Sequence, residues 1–210
     1  MKTLAVSLII ILSVLPVATA DTTLNQPPSL VFYDASDDAI GPPPIIRADN
    51  FIVSTGGLGF DLEQVVIWGG YFPGNTPLTT DSFGVVIHQD AAGLPGAVVC
   101  SEPGIIPTSR TLTGHVWPNS VEQYTYTLDL ASACSLTDGT YWAEVYNDSS
   151  AAVGNDRWNR DRGTLDPVNG VDGDSYTFRT PPDWYPATEN AAMQLNGTTL
   201  PVELQSFSIE

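Results

Sequence analysis

Basic residues are nearly missing from this chain. One lysine, Lys2, and six arginines stand against 24 carboxylates, giving a formal charge of −17 at pH 7. A surface of that sign repels nucleic-acid phosphates and anionic lipid headgroups, so neither is an expected partner. It suits solvation, divalent cations and neutral ligands such as glycans. Helical periodicity is also missing, and apolar residues recur at every second position instead. Histidine is confined to His88 and His115, with no His-Glu-x-x-His pattern, no Gly-x-Ser-x-Gly elbow and no phosphate-cradling loop. Zinc-protease, α/β-hydrolase and nucleotide-binding chemistry lose their usual signatures, and no catalytic residue is assigned. A carboxylate pair for glycoside cleavage has no local signature, so a hydrolase of extracellular polymers stays among the readings.

One long apolar run is present, and it opens the chain. Lys2 precedes Leu4 to Val17, broken only by Ser7, Ser13 and Pro16, and Ala18-Thr19-Ala20 supplies a small-x-small cleavage pattern. This reads as a signal peptide over residues 1–20, cut between Ala20 and Asp21. It is shorter than the roughly 20 apolar residues that cross a bilayer, and no later segment is apolar enough to span. The expected destination is secreted or periplasmic.

Beyond it, period-two alternation runs throughout. Tyr124, Tyr126, Leu128 and Leu130 point one way, with Thr125, Thr127 and Asp129 opposite. Phe83, Val85 and Ile87 form another inward row, and Val65-Val66-Ile67-Trp68 is apolar on both faces. Turn chemistry separates such runs at Gly56-Gly57, Pro73-Gly74-Asn75, Pro95-Gly96, Asp138-Gly139 and Asn196-Gly197. About ten short strands at this spacing predict an all-β fold, an antiparallel β-sandwich of jelly-roll type. Residues 21–47 read as an N-terminal extension or edge strand, 48–198 as the sandwich, and 199–210 as a final strand or tail. The Cys100 and Cys134 pair reads as a disulfide in an oxidising compartment.

Two constellations carry candidate chemistry. The stretch from Asn147 to Ser175 is rich in Asp, Asn and Gly, densest at Asp166, Asn169, Asp172 and Asp174. Short oxygen ligands on a flexible loop suit Ca²⁺, although the spacing is not that of an EF-hand; the same residues also build ordinary polar turns. The second is an aromatic set: Trp68, Tyr71, Trp117, Trp142, Tyr146, Trp158, Trp184 and Tyr185. Aromatic faces stack on sugars, and Trp142, Glu144 and Tyr146 share one strand face, where core packing competes with a glycan platform. Trp158 and Trp184 stand in polar surroundings and are the expected exposed ligand-binding pair.

Several strings carry a family likeness: Ala48-Asp49-Asn50-Phe51-Ile52-Val53, Val65-Val66-Ile67-Trp68-Gly69-Gly70-Tyr71, Asp90-Ala91-Ala92-Gly93-Leu94-Pro95-Gly96, Gly139-Thr140-Tyr141-Trp142 and Met193-Gln194-Leu195-Asn196-Gly197. Together they resemble exported bacterial jelly-roll-like β-sandwich modules of uncharacterised function. The C-terminal Pro201-Val202-Glu203-Leu204 with Phe207 resembles a segment near the end of bacterial surface proteins. The resemblance implies an extracellular β-sandwich and brings no catalytic residues with it. The expected function is a secreted, non-catalytic module that binds or builds, with a glycan or another cell-surface component as partner. A glycan-binding domain is the alternative.

Overall fold

The computed structural model describes residues 21–38, 45–151, 156–178 and 184–200, with backbone only at residues 32, 172 and 174–178. The predicted signal peptide and the expected final strand or tail beyond residue 200 lie outside the described residues. Among the described residues thirteen strands form two antiparallel sheets. The seven-stranded sheet contains β1 (Asp21–Gln26), β2 (Pro28–Ala35), β4 (Phe60–Phe72), β7 (Ser109–Val116), β8 (Glu122–Leu136), β10 (Arg157–Gly163) and β13 (Met193–Thr199). The six-stranded sheet contains β3 (Ile45–Val53), β5 (Phe83–Asp90), β6 (Pro95–Ile105), β9 (Gly139–Asn147), β11 (Gly170–Phe178) and β12 (Trp184–Pro186), in the order β12-β11-β3-β9-β5-β6. The fold is an antiparallel β-sandwich. Among the described residues no helix is long and apolar enough to cross a membrane.

Strand β4 organises its sheet. One edge pairs with β8, while the other pairs first with β13 and then, beyond Ile67, with β10. A register shift between Leu62 and Gln64 changes which parity faces inward. Phe60 and Leu62 are therefore buried before it, and Val65, Ile67 and Tyr71 after it. These side chains meet Phe51 and Val53 of β3, Phe83, Val85 and Ile87 of β5, and Tyr126 and Leu128 of β8 in one core. Each such apolar side chain contributes about 1.5–3 kcal/mol when fully buried.

The count exceeds the expected ten because strongly polar stretches also form strands. β10 reads Arg157-Trp-Asn-Arg-Asp-Arg-Gly163, yet Trp158 through Asp161 are buried. Arg162 at its end is paired across the sandwich's edge: Asp34 on β2 meets Arg162 at 2.7 Å and Arg47 of β3 at 3.3 Å. Burial raises the Asp34 carboxyl, and the bond from Arg162 with the fields of both arginines outweighs it, so the net shift is downward. Buried Asp49 likewise accepts the Asn50 N–H at 2.9 Å, the Gln26 amide at 2.8 Å and the Ala191 N–H at 2.5 Å. The disulfide joins β6 to β8, and so one sheet to the other, with Cα atoms 6.1 Å apart.

Candidate functional site

Each sheet turns one face to the shared core and one outward, and the two outward faces differ. On the six-stranded sheet, β5 sends out Gly84, Val86 and His88, and β9 sends out Trp142, Glu144 and Tyr146. All of these are buried or nearly so. Trp184 of β12 packs against Ile46, Val86 and Tyr146, and its ring meets His88 edge-on at 5.8 Å. Tyr146 lies across Gly84 so closely that a β-carbon there would fall 2.3 Å from its ring.

The polar groups under Trp184 are paired. His88 Nε2 sits 2.8 Å from Glu144 Oε2, and Nδ1 sits 3.1 Å from the Gly96 carbonyl. Both ring nitrogens thus face an oxygen within hydrogen-bond distance. Trp142 Nε1 donates to Asp90 Oδ1 at 2.8 Å. His88 and Glu144 are thus paired with each other inside the protein, and Asp90 stands at its exposed rim.

The seven-stranded sheet is divided. Around Gly69-Gly70 its outer face is covered: Trp117 folds over Gly70, where a β-carbon would lie 2.9 Å from its ring, and Tyr33 stacks beside it with centroids 4.7 Å apart. Beneath them Gln123 donates to buried Asp161. Burial pushes the Asp161 carboxyl up to about 7, against the opposing effect of the Gln123 bond.

Further along, the same face is open. Val66 and Trp68 project outward from β4 and are half-buried, because Val65 and Ile67 of opposite parity fill the core. Trp68 stands opposite Thr125, and Val66 opposite Thr127. Across β8, exposed Thr111 and Ser109 of β7 face these two threonines. On the other side a chain of side-chain hydrogen bonds, with two amides at its centre, crosses four strands. Thr22 Oγ1 of β1 donates to Asn196 Oδ1 of β13 at 2.9 Å. Asn196 Nδ2 donates to Gln64 Oε1 of β4 at 2.9 Å, and Gln64 Nε2 donates to Asp129 Oδ1 of β8 at 2.7 Å.

The residues singled out from sequence fall differently. Trp158 is a correction: expected at the surface, it is fully buried, edge-on to Phe83 with centroids 5.2 Å apart. Its polar neighbours misled, since they are buried through pairing rather than exposed. Trp184 is half-buried, as the cover of the closed face. Asp166 and Asn169 share the turn between β10 and β11, but Asp166 accepts the amides of Asn25, Val168 and Asn169 at 2.8, 2.8 and 3.2 Å. Burial raises its carboxyl and those three amides outweigh that, drawing it down. The backbone of Asp172 and Asp174 lies on β11, and their side chains lie outside the described set. Among the described residues, no three His, Cys, Asp or Glu side chains gather as a metal cluster would. The sequence reading missed Trp68 as a surface residue; the signal was there in the Thr, Gln and Asn that share its parity on neighbouring strands.

Compared with known proteins, no family model matches the chain, and no curated protein or solved structure matches it.

Proposed function

We propose that the chain is an exported, non-catalytic binding module whose recognition surface is the open outer face of the seven-stranded sheet. The observation that carries this reading is the half-buried Trp68 set among hydroxyls and amides on a sheet face that no other element covers among the described residues, in an otherwise strongly acidic chain. The signal-like segment ahead of Asp21 and the Cys100–Cys134 disulfide support export to an oxidising compartment. The non-catalytic part rests on how the buried carboxylates are used. Asp37, Asp49, Asp81 and Asp156 each accept two or more protein donors, as expected of groups that hold the fold together.

Two measurements test the proposal. N-terminal sequencing of protein recovered from outside the cytoplasm should begin at Asp21; retention of the uncut chain inside would sink the export half. Fluorescently labelled protein should bind extracellular polymer from a producing culture, and Thr127→Arg, which plants a long cation on the face, should abolish that binding. Equal binding by both proteins would place recognition elsewhere.

A further inference from the structure

We infer that the open face takes a neutral polysaccharide, lying across the strands with one sugar ring stacked on Trp68 and its hydroxyls bonded to the amide row. The inference rests on the binding-surface reading above and names its ligand class.

The first support is the polarity of the amide row. Asp129 can only accept, so it fixes Gln64 with its NH₂ toward β8 and its carbonyl toward β13. That carbonyl in turn fixes the Asn196 NH₂, and the Asn196 carbonyl then receives Thr22 Oγ1 and the Gln194 amide at 2.9 and 2.8 Å. One carboxylate thus sets the direction of the amides on β4 and β13 and of the hydroxyl on β1. Gln64 keeps one N–H and one carbonyl lone pair unused by these bonds, and Asn196 keeps one N–H. A surface with donors and acceptors side by side, already held in place, suits a ligand whose every hydroxyl both donates and accepts. Little ordering remains to be done on binding.

The second support is charge. The chain carries 24 carboxylates, yet the rows around Trp68 consist of Ser109, Thr111, Thr125, Thr127, Gln64 and Gln194, with Asp129 closing one end. A field whose carboxylates, Asp129 and neighbouring Glu63, stand at the Gln64 end offers a polyanion no counter-charge, and the whole molecule repels it. A neutral ligand meets no such penalty. The third support is shape and spacing. Neighbouring strands lie about 4.8 Å apart, close to the advance of one residue in an extended sugar chain. A flat face suits the side of a long polymer rather than its end. A second copy of this face fits poorly, because Trp68 and Val66 are the apolar contacts it would gain while amides and hydroxyls lost water.

Affinity electrophoresis of the mature protein through soluble β-glucan, galactomannan, arabinoxylan and polygalacturonate tests the inference. At least one neutral polymer should retard the protein. Trp68→Ala should weaken that retardation about tenfold, Gln64→Ala should weaken it several-fold, and Thr127→Arg should remove it at unchanged melting temperature. Trp184→Ala, on the other sheet, should leave it intact. No retardation by any neutral polymer, or retardation indifferent to both Trp68→Ala and Thr127→Arg, overturns the inference. Sedimentation velocity separates this from failure of the binding surface itself. A dimer dispersed by Thr127→Arg, or retardation by polygalacturonate alone through the same residues, keeps the surface and overturns the neutral glycan. Absence of every Thr127→Arg effect overturns both.

Discussion

The two outward faces of the sandwich begin from the same kind of sequence and end in opposite conditions. On β9, Trp142, Glu144 and Tyr146 alternate with core residues; on β8, Thr125, Thr127 and Asp129 do the same. The first row lies under Trp184, with a histidine and a carboxylate locked together away from water. The second meets solvent and bonds to its own neighbours. Alternation tells which side chains share a face; whether water reaches that face depends on chain that arrives from far away in sequence. Covering a face also imposes a condition on its chemistry. Every polar group beneath Trp184 needs an internal partner, whereas the hydroxyls around Trp68 can keep exchanging partners with water.

The largest expected effect breaks the closed face. Glu144→Ala leaves His88 buried without its carboxylate and should cost about 3–5 kcal/mol in urea unfolding. A loss below about 1 kcal/mol, the scale of an exposed pair, would mean that water already reaches the pair. Next comes the link between the sheets. Cys100 and Cys134 close a loop with a sequence separation of 34, and Cys100→Ser with Cys134→Ser should lower stability by about 2–4 kcal/mol. Equal stability of the oxidised protein and the double variant would remove the disulfide from the balance.

A smaller and pH-dependent effect sharpens the division within the seven-stranded sheet. Asp161, beneath the Trp117 cover, is pushed up to about 7 in the fold, against roughly 3.9 when unfolded. The folded chain therefore holds this proton more tightly between about pH 4 and 7. Its contribution is fully present below pH 4 and is lost as pH rises through 7. Asp161→Asn should then gain on wild type by about 1–3 kcal/mol between pH 5 and pH 8, with burial setting the size first, the Gln123 side-chain and Arg162 backbone bonds opposing it and the Asp34 charge adding to it. Parallel pH profiles for the two proteins would contradict the buried carboxyl. The smallest effect belongs to the open face: Thr111→Ala should change stability by no more than about 0.5 kcal/mol. A larger loss in thermal unfolding would show that the hydroxyl row is structural.

Much of the fold was legible locally. The alternation of Tyr126 and Leu128 against Thr125 and Thr127 placed β8 and its inward side correctly, and the two cysteines found each other. The tryptophans were harder. Trp158 sits among Arg157, Asn159, Arg160 and Asp161, a composition that looks wet; it is dry because its ring packs on Phe83 and Tyr126 in the core, while Asp37, from more than a hundred residues earlier, accepts its backbone N–H. Trp68 sits in an apolar run that looks buried on both sides, yet only one side finds a second sheet. Local composition records how much a side chain favours burial, and pairing across the fold decides whether it is buried.

The first and last described strands lie against each other: Asp21 pairs with Gly197 and Gln26 with Met193. The start of β1 at Asp21 and the end of β13 at Thr199 consequently share one corner. A pull applied through them would load the β1–β13 hydrogen bonds one at a time, as a zipper opens, rather than all together. Mechanically, that corner is the fuse of the molecule. The β4–β8 pair and its disulfide to β6 lie off the line of tension, so these two strands would peel before the core felt the force.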